Sequence, residues 1–349
     1  MRSGRRGGRM LRLFGLVAVG ALLAGCSPQV GPDDWTLEPI PFETALGRTD
    51  FAFGMHQLAT DGSGGFWASS GRSWLHVGGD GETLAMFSAD DGDPLAGIGA
   101  MAALSDTEFV ATRSTRVPVL SVLDTTTMKW RDLPGEPPVS SDDFGDFAFG
   151  DVAVHEGDAI LVRYQPRPPD AYLDYQVLRV DLDDGSRTLL YSAPISLGDA
   201  PDSFPGVPPV DVDADADGRI YLATPSERIV LDAEGAVLSA EPQSADHPRV
   251  SVRPDGTALW WGGEPEKSAI RGVTIGGSAE AQEAIAQRED CDDVYRTDAL
   301  WLSDGEAQHP LPFLCGANAA VWTGDSWVVA IGGEGDGVLV RLTPPDARD

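Results

Sequence analysis

The chain has 349 residues, with 25 lysine and arginine side chains against 55 aspartate and glutamate, a formal charge of −30, 42% hydrophobic residues, 41 glycines and 26 prolines. Such a composition supports a large core and excludes a collagenous or disordered chain. The acidic excess, with Lys129 and Lys267 as the only lysines, excludes a nucleic-acid partner, because a field of this sign repels phosphates.

In chain order, Arg2, Arg5, Arg6, Arg9 and Arg12 come first, then an apolar run from Leu13 to Ala24, with no acid in the first 25 residues. A basic region before a short apolar stretch is a secretory signal, and the run falls short of the roughly 20 residues that a membrane span needs. It ends in Leu23, Ala24, Gly25 and Cys26. This ending resembles the lipobox of bacterial lipoproteins. The resemblance implies cleavage after Gly25 and a diacylglycerol on the Cys26 thiol, often with acylation of the new amino end. Residues 1–25 are then a signal peptide and 26–34 a short linker. The expected location is the bacterial cell envelope, on the extracytoplasmic side of a membrane. Losing five arginines and no acids leaves a charge near −35, so the attachment must be lipidic, and two acyl chains hold where one does so only marginally.

A strand-like segment, Trp35 to Glu43, opens the mature domain. After it a pattern recurs: an Asp- or Gly-rich turn, then a short apolar run. The copies begin at Asp61, Ser105, Glu156, Asp217, Asp255 and Gly324. Alternating segments near Trp74, Leu120, Leu178, Arg228, Ile270 and Ala299 supply the third strands, so each repeat reads as two linked hairpins. The corresponding second-strand residues Phe66, Phe109, Ile160, Ile220, Leu259 and Trp327 are 43, 51, 60, 39 and 68 apart. Four strands at this interval indicate an all-β fold, a β-propeller of four-stranded blades spanning 35–345 with a tail at 346–349. Six or seven blades fit, with seven favoured, because the last interval has room for a second blade. The final repeat lacks a fourth strand, so the Trp35 to Glu43 segment is expected to pair into the last blade and close the ring.

The repeats resemble NHL and gluconolactonase-like propellers in Asp215 to Ala223, with Ile229 to Asp232 and Gly235 following, and sensor-type propellers in the Asp-Gly turn leading to Trp67. Such resemblance implies fold better than function. A gluconolactonase-like reaction would need an axial metal held by an acid and asparagines, and the chain has one asparagine, Asn318.

Asp213, Asp215 and Asp217 alternate before Gly218, as acids do where an oxygen cage for Ca²⁺ begins. The cage is left incomplete: an EF-hand loop starting at Asp213 would want Glu where Thr224 stands, and a propeller-type loop an acid where Tyr221 stands. The alternative is a first strand with acids on one side and a hairpin turn at Asp217 and Gly218. With Cys26 lipidated, Cys291 and Cys315 remain, and an oxidising compartment favours a disulfide between them, two free thiols being the alternative. Serine lacks a GxSxG elbow, so no catalytic residue is assigned. Trp67, Trp260, Trp261 and Trp327 fall in second strands and are expected in the core.

The expected function is a non-catalytic binding module for a protein, glycan or small ligand. Two alternatives remain, a metal-dependent lactonase- or esterase-like hydrolase with an acidic axial site, and an envelope-assembly or signalling subunit.

Overall fold

The computed structural model describes residues 35–40, 57–69, 73–88, 98–114, 118–134, 148–167, 172–196, 210–243, 245–263, 275–277, 300–303, 308–311, 317–331 and 338–344. The expectations at 1–25, at 26–34 with Cys26, at Cys291 and Cys315, and in the tail lie outside them. Every element among the described residues is a strand, and none of them is a helix long and apolar enough to cross a membrane.

Strand β1 is Trp35–Pro39. The first sheet follows as β2 (Gln57–Thr60), β3 (Phe66–Ser69), β4 (Ser73–Val77) and β5 (Thr83–Ser88), and the second as β6 (Ile98–Ala103), β7 (Glu108–Ser114), β8 (Pro118–Asp124) and β9 (Lys129–Asp132). The third comprises β10 (Ala148–His155), β11 (Asp158–Arg167), β12 (Tyr172–Val180) and β13 (Arg187–Ser196). The fourth comprises β14 (Asp211–Ala214), β15 (Ile220–Ala223), β16 (Glu227–Leu231) and β17 (Val237–Pro242). The fifth starts with β18 (Ala245–Val252) and β19 (Ala258–Gly263); the chain then gives β20 (Ile275–Gly277) to another sheet before β21 (Leu300–Ser303) and β22 (Gln308–Leu311) complete it. Strands β23 (Ala317–Trp322), β24 (Trp327–Ile331) and β25 (Val338–Thr343) form the closing sheet with β1 and β20.

All five four-stranded sheets are antiparallel meanders, and their first strands β2, β6, β10, β14 and β18 touch one after another, with β23 contacting both β18 and β2. The arrangement is a propeller around a central channel. Apolar clusters fill the wedges between sheets. Trp67 and Trp74 pack with Phe109 and Leu123 between the first and second, and Ile160 and Tyr175 with Ile220 and Ile229 between the third and fourth. Second strands carry this burial on both faces, as in Phe66–Ser69 and Ile220–Ala223, where every residue is buried, whereas the outer strand Val237–Pro242 is exposed throughout. Full burial of a large apolar side chain contributes about 1.5–3 kcal/mol, so these short strands supply much of the driving force. The turns are held by glycine at positive φ. Gly235 has φ 90°, and a Cβ there would collide with the Leu190 carbonyl of the neighbouring sheet.

Ring closure uses the amino-terminal segment. Strand β1 pairs antiparallel with β25, Thr36 opposite Thr343 and Pro39 opposite Val340, and Ile40 donates its N–H to the Leu339 carbonyl at 2.9 Å. Outside it lies β20, parallel, with Trp35 opposite Ile275. This placement departs from the sequence expectation that the Ile270 segment forms a third strand in its own repeat. That place is taken by β21, which pairs Trp301 with Trp260.

Candidate functional site

A cavity of about 720 Å³ runs along the channel, lined by the first strands of all five four-stranded sheets and by β23. Its polar end follows from register. Three residues before the last pair of each hairpin, Gln57 faces Ser69, Asp211 faces Ala223 and Arg249 faces Trp261. In the third sheet Asp151 lies within the bulge between Phe149 and Val152. The first strands of separate repeats thus bring Gln57, Asp151, Asp211 and Arg249 to the same cavity, joined by Asp213, two residues further along β14.

The acids are fixed by backbone donors from the next sheet. Val212 N–H donates to Asp151 Oδ2 at 3.1 Å, Val250 N–H to Asp211 Oδ2 at 2.8 Å, and Val252 N–H to Asp213 Oδ2 at 2.7 Å. Val210 N–H similarly donates to Tyr164 Oη at 2.7 Å. Arg249 Nη1 lies 2.8 Å from Asp211 Oδ1, and that carboxylate holds the guanidinium firmly charged. Asp151 is pushed well above the ordinary carboxyl range by burial and by the neighbouring Asp211, with which it shares a hydrogen bond. Burial also raises Asp213, to about 7, against the opposing pull of the Val252 and Ala214 N–H groups. The polar end therefore holds one ion pair beside two carboxyls, Asp151 and Asp213, that burial pushes toward the protonated form.

The three acids singled out in the sequence separate. Asp213 faces the cavity. Asp215 also borders the cavity, but its carboxylate, 2% exposed, is turned into the hairpin, where it accepts N–H bonds from Asp217 and Arg219 at 3.0 and 2.9 Å, the Tyr221 hydroxyl at 3.0 Å and the Arg219 guanidinium at 3.4 Å. Asp217 points to solvent beside Arg219. Among the described residues no three His, Cys, Asp or Glu side chains come together in a way that could hold a metal ion. Ca²⁺ at Asp213, Asp215 and Asp217 would require Asp215 to leave its turn.

The first sheet repeats this turn chemistry. Asp61, 3% exposed, accepts N–H bonds from Ser63 and Gly65 at 2.8 and 2.9 Å, and His76 Nε2 lies 3.0 Å from its other oxygen. Burial works to raise its pKa, but His76 and these donors outweigh it and hold the carboxyl below the usual range. The imidazole stacks on Trp67, centroids 4.4 Å apart and rings 4° from parallel. Trp67, Trp74, Trp260, Trp261 and Trp327 are all buried.

Sequence reasoning did not single out Gln57, Asp151, Asp211, Arg249 or the cavity-lining Trp261 as a group. The available signal was positional: a polar residue at the same step before the turn in the first, fourth and fifth sheets, Gln57, Asp211 and Arg249.

No protein-family model matches the sequence, and no curated protein matches it. Solved structures that resemble it are propellers of low identity. The calcium-binding protein regucalcin from Agrobacterium tumefaciens is 13% identical with a TM-score of 0.48, covering 84% of this chain and 93% of its own. An oligogalacturonate lyase in complex with manganese is 10% identical with a TM-score of 0.47, covering 90% and 97%. A putative TolB from Agrobacterium tumefaciens is 11% identical with a TM-score of 0.46, covering 83% and 90%.

Proposed function

We propose that this chain is a lipid-anchored, extracytoplasmic propeller that binds a small polar ligand in its channel and performs no chemistry on it. We count the closing sheet as a sixth blade, the reading supported by the contacts of β23 with both β18 and β2. The observation that carries the binding reading is the cavity of about 720 Å³ whose polar groups are oriented by N–H donors of adjacent sheets. Groups held on strands from several directions are preorganised, so a ligand meets them without an ordering cost. The same bonds argue against catalysis by these acids, since Asp211 is engaged by Arg249 and Val250 and Asp213 by Val252. The anchor follows from the lipobox at Cys26, with a short linker that keeps the domain close to the bilayer.

The test is a thermal-shift screen of the full-length chain in detergent against sugars, amines, amino acids and Ca²⁺, Mg²⁺, Mn²⁺ and Zn²⁺, with lactone and ester hydrolysis followed in parallel. A saturable shift for an organic ligand without turnover is expected; metal-dependent hydrolysis would overturn the reading in favour of a hydrolase. For the anchor, Cys26→Ser is expected to move the protein from the membrane to the soluble fraction, and unchanged membrane association would contradict it.

A further inference from the structure

The channel lining holds a set of acceptors and a donor, and each is incomplete among the described residues. Among the acceptors, Asp151 and Asp213 line the cavity, and no ion pair engages either among the described residues. Gln57 lines it as well, with its side-chain carbonyl oxygen buried and unpartnered. The donor is Trp261, directly across the ladder from Arg249. Trp261 is 4% exposed and lines the cavity, and its indole N–H has no hydrogen-bond partner. An indole N–H can only donate, and one left buried without an acceptor is costly, so it calls for an oxygen from elsewhere. A cavity carboxyl with no ion pair of its own, as at Asp213, offers an ammonium a partner.

We infer that the channel binds a dipolar ligand of the amino-acid class, its ammonium facing Asp151 and Asp213 and its carboxylate or carbonyl oxygen accepting from Trp261 N–H beside Arg249. This rests on the channel-binding reading above. Asp211 and Arg249 already neutralise each other, so a ligand with one charge of each sign adds no net charge. A lone amine would leave the indole N–H without a partner, and a lone carboxylate would meet Asp151 and Asp213 with Arg249 already paired to Asp211. Because Asp213 is half-ionised near pH 7, an arriving ammonium completes its ionisation, and binding releases part of a proton.

The experiment is calorimetric titration of the full-length chain in detergent with the proteinogenic L-amino acids and diglycine, with ethylamine, propionate and glucose as controls. At least one amino acid or diglycine is expected to bind saturably, with ethylamine and propionate each weaker by about tenfold or more. Asp213→Asn keeps the acceptor for Val252 N–H and removes the charge; Trp261→Phe keeps an aromatic ring and removes the donor. Each is expected to weaken the ligand by about tenfold while melting within a few degrees of the parent. Enthalpies in buffers of different ionisation heat should reveal proton release at pH 7 that Asp213→Asn abolishes. No binding from the panel, or binding indifferent to both variants, overturns the inference. Glucose binding alone would overturn the amino-acid class and leave channel binding standing, whereas metal-dependent hydrolysis would overturn both.

Discussion

Asp213 and Asp215 are separated by one alanine and both border the cavity, yet their carboxylates are engaged differently. Asp215 is enclosed by donors, two backbone N–H groups and the Tyr221 hydroxyl, and is spent on holding its hairpin. Asp213 receives backbone N–H bonds from Val252 and from Ala214, faces a cavity and is raised to about 7. The same division recurs elsewhere, with Asp61 held low in its turn and Asp151 raised in the channel. Turn acids are held ionised by their donors and channel acids are raised by burial, and which one an aspartate becomes follows whether it stands before or after the end of the first strand.

The largest effect that would sharpen this contrast is expected from Asp215→Ala. It strands two N–H groups and leaves the Tyr221 hydroxyl only the Gly256 carbonyl at 3.2 Å, and should lower unfolding free energy by about 2–3 kcal/mol in urea titrations. Asp61→Ala strands the Ser63 and Gly65 donors and frees His76, for a loss of about 2–3 kcal/mol at pH 7. Because the Asp61 pKa is lowered on folding, this loss should shrink as pH falls below 4, where the folded carboxyl also protonates. Asp213→Asn has the opposite sign. Its folded pKa is raised, so the parent binds more protons folded than unfolded and loses stability as pH climbs from about 4 to about 7. The variant should match the parent at pH 4 and exceed it at pH 8 by about 2 kcal/mol, read from thermal melts across pH. Tyr221→Phe removes one of four donors to Asp215 and should cost about 1 kcal/mol. An Asp213→Asn variant that loses stability at every pH would break the contrast.

The propeller was legible in the sequence because its signals are local. An Asp-Gly turn followed by a buried second strand repeats within each sheet, and the unpaired Trp35 segment marked the missing strand of the closing sheet, where it pairs with β25. The path of 264–299 was not legible. Alternation at Ile270 suggested a third strand of the fifth sheet, but strand pairing is chosen by the available edge, and Ile275–Gly277 lies on the outer edge of β1 instead. Asp213 was singled out, yet within a calcium motif, because acids at alternate positions look alike in sequence whether they face a turn or a channel. Asp151, Asp211, Arg249 and Trp261 come from three repeats and meet only when the ring closes; Asp211 and Arg249 share a step before the turn, but nothing along the chain says that this step faces a cavity.

The most direct test of the division between the two kinds of aspartate is a pH titration of aspartate carboxyl signals in protein carrying ¹³C-labelled aspartate, with Asp213→Asn and Asp61→Asn used to assign the resonances. The account predicts a midpoint near 7 for Asp213 and one below the ordinary carboxyl range for Asp61. A midpoint near 4 for Asp213 would mean that the channel carboxyl is ionised and stabilised like those of the turns, and would contradict the account.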